Sequence, residues 1–245
     1  MRMKPHVIVL GLATVLAVLL GACSGGGDAG KSPTASPYAP TIDPARFTDH
    51  VTNRYLPLSS GTTYVYEGTK DGTPQRNEVT VTRDTKTVVG VRCVVVHDLV
   101  TEEGNLVEET FDWYAQDSDG NVWYFGEDSK EYDGGKVTST KGSWQAGVNG
   151  AQPGIVMEAS PEVGDSYRQE YYPGQAEDMA TVLNVNESTT VSAGSYREVV
   201  LTEDFTSLEP DKVEHKYFAP GVGFVIGSMV KGGSEEIQLV EITTD

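Results

Sequence analysis

Apolar residues almost never recur at helical spacing in this chain. Beyond "TIDPARFTDHVTN" they come instead in short runs of Val, Thr, Tyr and Phe, mostly bounded by Gly, Asn, Asp or Pro. "NEVTVTRDTKTVV", "VRCVVVHDLV", "LVEETFDWYAQ", "NVWYFG", "TVLNVNESTTV", "YREVVLTEDF", "VEHKYFA", "GFVIGSMV" and "IQLVEITT" all read as strands. The expected class is therefore all-β, an antiparallel meander with few short helices. One such helix is signalled by Asp43 as N-cap with Pro44 at the first helical position, and "GQAEDMA" suggests a single turn.

The runs repeat. "GTTYVYE" aligns with "GDSYRQE" and "RDTKTV" with "NESTTV" at an offset of 103, and "DWYA" aligns with "KYFA" at an offset of 104. Two pseudo-repeats are expected, about residues 61–126 and 164–230, joined by an irregular stretch. A single meander leaves open edges, so the two copies are expected to complete one sandwich or open barrel.

The N-terminus tells a separate story. "MRMKPH" is basic, "VIVLGLATVLAVLLGA" is an uncharged apolar run, and it ends in "LGAC" at Cys23. This resembles the signal peptide and lipobox of a bacterial lipoprotein. The resemblance implies that residues 1–22 are removed and that Cys23 is acylated and anchors the chain in the lipid bilayer. Several acyl chains suffice for stable anchoring. "SGGGDAGKSPTASPYAP" then reads as a flexible tether, so residues 23–40 form a lipidated linker and 41–245 one β-rich extracytoplasmic domain. In architecture that domain is similar to the LolA/LolB-type exported half-barrels that carry lipids, although no motif carries the likeness.

A formal net charge of −18 disfavours nucleic acid and anionic headgroups, so no nucleic-acid partner is expected. The two cysteines are Cys23 and Cys93. With the first acylated, Cys93 has no disulfide partner, and its apolar setting "VRCVVV" points to a buried inert thiol.

The densest cluster of possible chemistry is "DWYAQDSDGNVWYFGED", residues 112–128. Asp117, Asp119, Asn121 and Asp128 fall at positions 1, 3, 5 and 12 of a calcium loop, but Val122 stands where such a loop needs Gly. The equivalent place in the second repeat, "APGVGF", lacks any acid. A hairpin connection is expected there, with Ca2+ binding as a weak alternative. Acids and aromatics recur around "YRQEYYPGQAEDMA", where Trp144, Glu170, Tyr171, Tyr172, Glu177 and Asp178 are candidate groove residues for a cation, glycan or peptide. The acids in Glu108–Glu109 and Glu235–Glu236 should point to opposite sheet faces, as solvated charge. "SMVK", Ser228 to Lys231, fits the Ser-x-x-Lys nucleophile pattern on paper but sits in a strand context. His50, His97 and His215 show no zinc spacing. No catalytic set is found, and the expectation is a membrane-anchored envelope protein that binds or supports without catalysis. The alternatives are weak cation binding and carriage of a lipid or glycan.

Overall fold

The computed structural model describes residues 38–245. The expected signal peptide, Cys23 and nearly all of the expected linker lie outside the described residues. Within them the fold is all-β. The expected helix is the short 3-10 turn η1 (Pro44–Arg46), where the Asp43 carboxylate accepts the Ala45 N–H at 3.1 Å. Residues 173–175 make a turn, and strand resumes at Asp178.

The first half holds β1 (Phe47–Thr48), β2 (Thr62–Lys70), β3 (Thr73–Val88), β4 (Val91–Glu102), β5 (Asn105–Asp117), β6 (Val122–Asp133), β7 (Lys136–Ser139), β8 (Trp144–Gln145) and β9 (Gln152–Met157). The second holds β10 (Ser166–Arg168), β11 (Glu170–Tyr171), β12 (Asp178–Val191), β13 (Gly194–Thr206), β14 (Val213–Ala219), β15 (Gly223–Lys231) and β16 (Glu235–Thr244). Three successive two-residue turns, Asp71–Gly72, Val89–Gly90 and Glu103–Gly104, have positive φ at both residues. That backbone matches the right-handed twist of the flanking strands and sets β2 to β5 in hairpin register.

Strands pair antiparallel in the order β12-β13-β14-β15-β16-β2-β3-β4-β5-β6-β9. The segment 166–171 joins the two ends: β10 pairs β12, β11 pairs β9, and the Gln169 N–H donates to the Asp178 carbonyl at 2.8 Å. The sheet is thus nearly closed into a barrel. This resolves the choice between sandwich and barrel. Each half contributes a comparable run of hairpin-linked strands. Tyr114 pairs with Tyr124 across β5 and β6, and Phe218 pairs with Phe224 across β14 and β15.

The barrel interior has two parts. One is apolar, built from Tyr64, Tyr66, Val79, Val81, Val94, Val96, Val182, Val200, Phe218, Phe224 and Leu239. Segment 51–58 fills this part with Val51, Tyr55, Leu56 and Leu58, each buried leucine contributing about 1.5–3 kcal/mol. Polar contacts fix the plug. Asn53 donates to the carbonyls of Gly120 and Glu158, Tyr64 Oη donates to Pro57, and the Gly221 N–H donates to the Arg54 carbonyl. Strand parity carries the inward face of the same strands on into a second, polar part.

Candidate functional site: the acid-lined half of the barrel

Inward positions of β4, β5 and β6 carry Asp98, Glu108, Thr110, Asp112, Glu127 and Ser129, all buried. Across the barrel β13, β14 and β16 contribute Asp204, Lys216 and Glu235, also buried, and β12 and β14 add the less buried Asp178 and Glu214. Glu170 enters from β11 with no exposed surface. The expectation that Glu108–Glu109 and Glu235–Glu236 are solvated charge is corrected. Their acids do point to opposite faces, but Glu108 and Glu235 face the barrel interior.

Two cations sit among these acids. Lys216 Nζ lies 3.2 Å from Asp204 and 3.5 Å from Glu214. Burial pushes the Lys216 ammonium down, but Glu214 and Asp204 more than reverse this, and it is held above its ordinary range. Lys70 Nζ is 3.9 Å from Glu102; burial lowers it, and Glu235, Glu102 and Glu108 offset that only in part. Asp204 is further held by Thr202 Oγ1 at 2.6 Å and Gln169 Nε2 at 3.2 Å.

The remaining acids have weaker support. Burial pushes Glu108 up to about 7, although the Thr110 hydroxyl donates to it at 3.1 Å. Asp112, directly opposite Glu127 in the β5–β6 ladder, is pushed up to about 7 by burial against a 2.6 Å bond from Tyr124 Oη. Glu127 is raised well above its ordinary range by burial and by Asp112, Glu170 and Glu108. Glu170 is raised likewise by burial and Asp178; the Trp144 indole N–H offsets part of this without meeting full hydrogen-bond geometry. Asp178 and Glu214 rise to about 7 and about 8 through burial, with Lys216 opposing in each case. Buried carboxyls with few donors are stabilised in the protonated form. Chemically, burial and scarce donors in this chamber favour the protonated form of its carboxyl groups well above the ordinary carboxylate range.

Trp144 reaches the chamber because β8 lies against β6 at Gly126. Gly126 has φ +127, and a Cβ there would meet the Trp144 carbonyl at 2.3 Å. Trp144 packs edge-on against Tyr124 at 5.4 Å, and Tyr124 stacks on Tyr114 at 4.9 Å. A cavity lined by Leu56, Tyr114, Gln169, Lys216, Phe218 and Phe224 marks the border with the apolar half and has room for about one water.

Of the candidate groove residues, the structure brings Trp144, Glu170 and Asp178 together, inside the barrel. Tyr171 lies on the outside between Tyr38 at 5.7 Å and the Arg168 guanidinium at 4.7 Å. Tyr172 closes the 172–176 turn, and Glu177 accepts from the Gly174 N–H at 2.8 Å and Ser207 Oγ at 3.3 Å.

The 117–121 segment is a hairpin turn between β5 and β6, as is Ala219–Phe224 between β14 and β15. Asp117 accepts the backbone N–H of Asp119 and Asn121 and the side chains of Asn121 and Trp123, all at 2.8–2.9 Å. Burial would raise it, yet these donors leave it below its ordinary value. Asp119 is bound to Arg46 at 2.7 Å, and Asn121 Oδ1 accepts from the Ala159 N–H at 2.9 Å. Asp128 is not brought to the turn: it lies on β6 opposite Phe111, 3.8 Å from Lys130. No group of three or more His, Cys, Asp or Glu able to hold a metal ion occurs among the described residues. No helix among them is long and apolar enough to cross a membrane.

No family model and no curated protein sequence matches the chain. Among solved structures, a lipoprotein candidate from Parabacteroides distasonis ATCC 8503, determined at 2.70 Å, is similar at 13% identity and a TM-score of 0.44. The match covers 78% of this chain and 99% of that one. At that distance the similarity transfers no activity.

Proposed function

We propose that the chain is a lipid-anchored protein of the cell envelope, its barrel held outside the membrane by acylated Cys23 and a tether, with a binding or structural role and no catalytic one. The observation that carries the anchor is "LGAC" at the end of an uncharged apolar run behind a basic start, followed by a Gly/Ser/Pro-rich segment. The non-catalytic reading is supported by the state of the nucleophiles. Burial pushes Cys93 up to about 12, and its Sγ donates to the Val91 carbonyl. Ser228 and Lys231 lie on strand β15, with Lys231 Nζ bound to the Pro210 carbonyl at 3.0 Å and near Asp211 at 3.6 Å.

The anchor is tested by membrane fractionation. The full chain should partition with membranes and a Cys23→Ala variant should not; unchanged retention of the variant contradicts the reading. Lipid carriage has less support, because segment 51–58 fills the apolar half and an acyl chain would have to displace it. A cation at the 117–121 turn would compete with the donors already on Asp117, Arg46 on Asp119, and the Ala159 N–H on Asn121. Calcium titration of the wild type against Asp119→Ala distinguishes a weak site there from none.

A further inference from the structure

The join in the barrel wall is the segment 166–171, and it is thin. β11 contributes two residues paired to β9, and β10 contributes three paired to β12. Backbones approach closely there: a Cβ on Gly154 of β9 would meet the carbonyl oxygens of Arg168 and Gln169 at 2.4 Å. On the inner side of this join sits Glu170, wholly buried, with neither carboxylate oxygen in a complete hydrogen bond. Glu127 Oε1 and Asp112 Oδ2 are buried in the same condition. On the outer side Tyr38, the first described residue and part of the expected linker, spans the same join. Its hydroxyl donates to Pro153 of β9 at 3.0 Å, and its ring meets Tyr171 of β11, with Arg168 at 5.5 Å from the Tyr38 ring.

We infer that Asp112, Glu127 and Glu170 form a proton-held latch that keeps the β9–β11 join closed, and that ionisation of the three opens the join and frees the Tyr38 clasp. Asp112 and Glu127 face each other in the ladder, so ionising both places two buried negative charges side by side. The groups facing Glu170 are Asp178 of β12, Lys216 of β14, Asp112 and Tyr114 of β5, Glu127 and Tyr124 of β6 and the Trp144 indole of β8. Those facing Glu127 are Asp112, Glu108, Glu170 and the Tyr124 hydroxyl. Among these described residues Lys216 is the one cation, and Asp204 and Glu214 already hold it. The ladder has least to resist this repulsion at the two-residue strand that carries Glu170 itself. Opening there exposes acids to water without disturbing the apolar half.

Hydrogen exchange of the full chain tests the latch, with rates corrected for the intrinsic effect of pH. Between about pH 5 and about pH 9, protection of 152–157 and 166–171 should fall by about tenfold or more, while β2 and β3 in the apolar half hold theirs. Glu170→Gln, neutral at every pH, should keep the join protected throughout. Asp112→Asn should do so in part, and serves if the first variant does not fold. Tyr38 should become accessible to iodination over the same range in the wild type. Uniform protection across the range overturns the inference. So does opening of Glu170→Gln and Asp112→Asn identical to wild type, or loss of protection spread evenly over the barrel.

Discussion

Inside the barrel, the Lys216 ammonium lies 3.2 Å from the Asp204 carboxylate with both side chains almost wholly buried. In the first half of the barrel the corresponding inward position, two residues before the aromatic pair Tyr114–Tyr124, is held by Asp112, which faces Glu127. At this matched position one half thus carries a cation and the other an acid; the first half's buried cation, Lys70, lies instead 3.9 Å from Glu102. Much of the molecule's behaviour follows from that asymmetry.

Removing the cation should be costly. Lys216→Met leaves Asp204, Glu214 and Asp178 buried without it, and truncating one partner of a buried ion pair costs about 3–5 kcal/mol. Urea unfolding at neutral pH should show that loss, and the loss should shrink in acid, where Glu214 and Asp178 take up protons. A cost below about 1 kcal/mol at neutral pH would show that the pair is solvated.

Stability should fall as pH rises. Glu108, Asp112 and Asp178 have folded values of about 7 and Glu214 about 8, all above the ordinary carboxylate range. The native state therefore binds more protons than the unfolded chain. The stability this brings is complete below the unfolded values and is lost as pH rises through the folded ones. Tm should be higher near pH 5 than near pH 9. A Tm that is flat or rises over that interval contradicts the assignment.

Val89 offers a gain. It is exposed, with φ +43 in the two-residue turn Val89–Gly90, a conformation that a β-branched residue adopts only under strain. Val89→Asn supplies the residue such turns favour and should stabilise the protein by about 1 kcal/mol in thermal or chemical unfolding. No change, or a loss, would mean that the Val89 contact beside Gly147 outweighs the strain.

The β5–β6 turn should depend on Asp117 as an acceptor. Asp117→Ala strands the indole N–H of Trp123 and two backbone donors, at a cost of about 1–3 kcal/mol. Asp119→Ala breaks only an exposed pair with Arg46 and should cost under about 1 kcal/mol. Equal effects in urea titrations would refute this ranking.

The fold was readable because hairpin-linked strands leave a local record, in alternation, turn residues and the offset between "DWYA" and "KYFA". The site was much less so. In "EETFDWYA" the residues alternate, but period two does not say which set faces inward. Glu108 read as solvated charge, whereas it faces the barrel interior with Thr110 and Asp112. Trp113 is instead covered on the outside, with Lys86 Nζ 3.2 Å above its ring. Trp144, Glu170 and Asp178 were found because acids and aromatics cluster near them in sequence. Lys216 and Asp204 join them only through strand pairing, which no local pattern records.

Burial raises several interior carboxyls to about 7 or about 8, so that a share of them keeps its protons at neutral pH. Infrared spectroscopy of the native protein reads this directly, in the carbonyl stretch that protonated carboxylic acids have and carboxylates lack. That band should be present at about pH 7, weaken in Asp112→Asn and Glu170→Gln, and disappear when the chain unfolds. A native spectrum showing only ionised carboxylates at that pH would rule out protonated acids in the barrel.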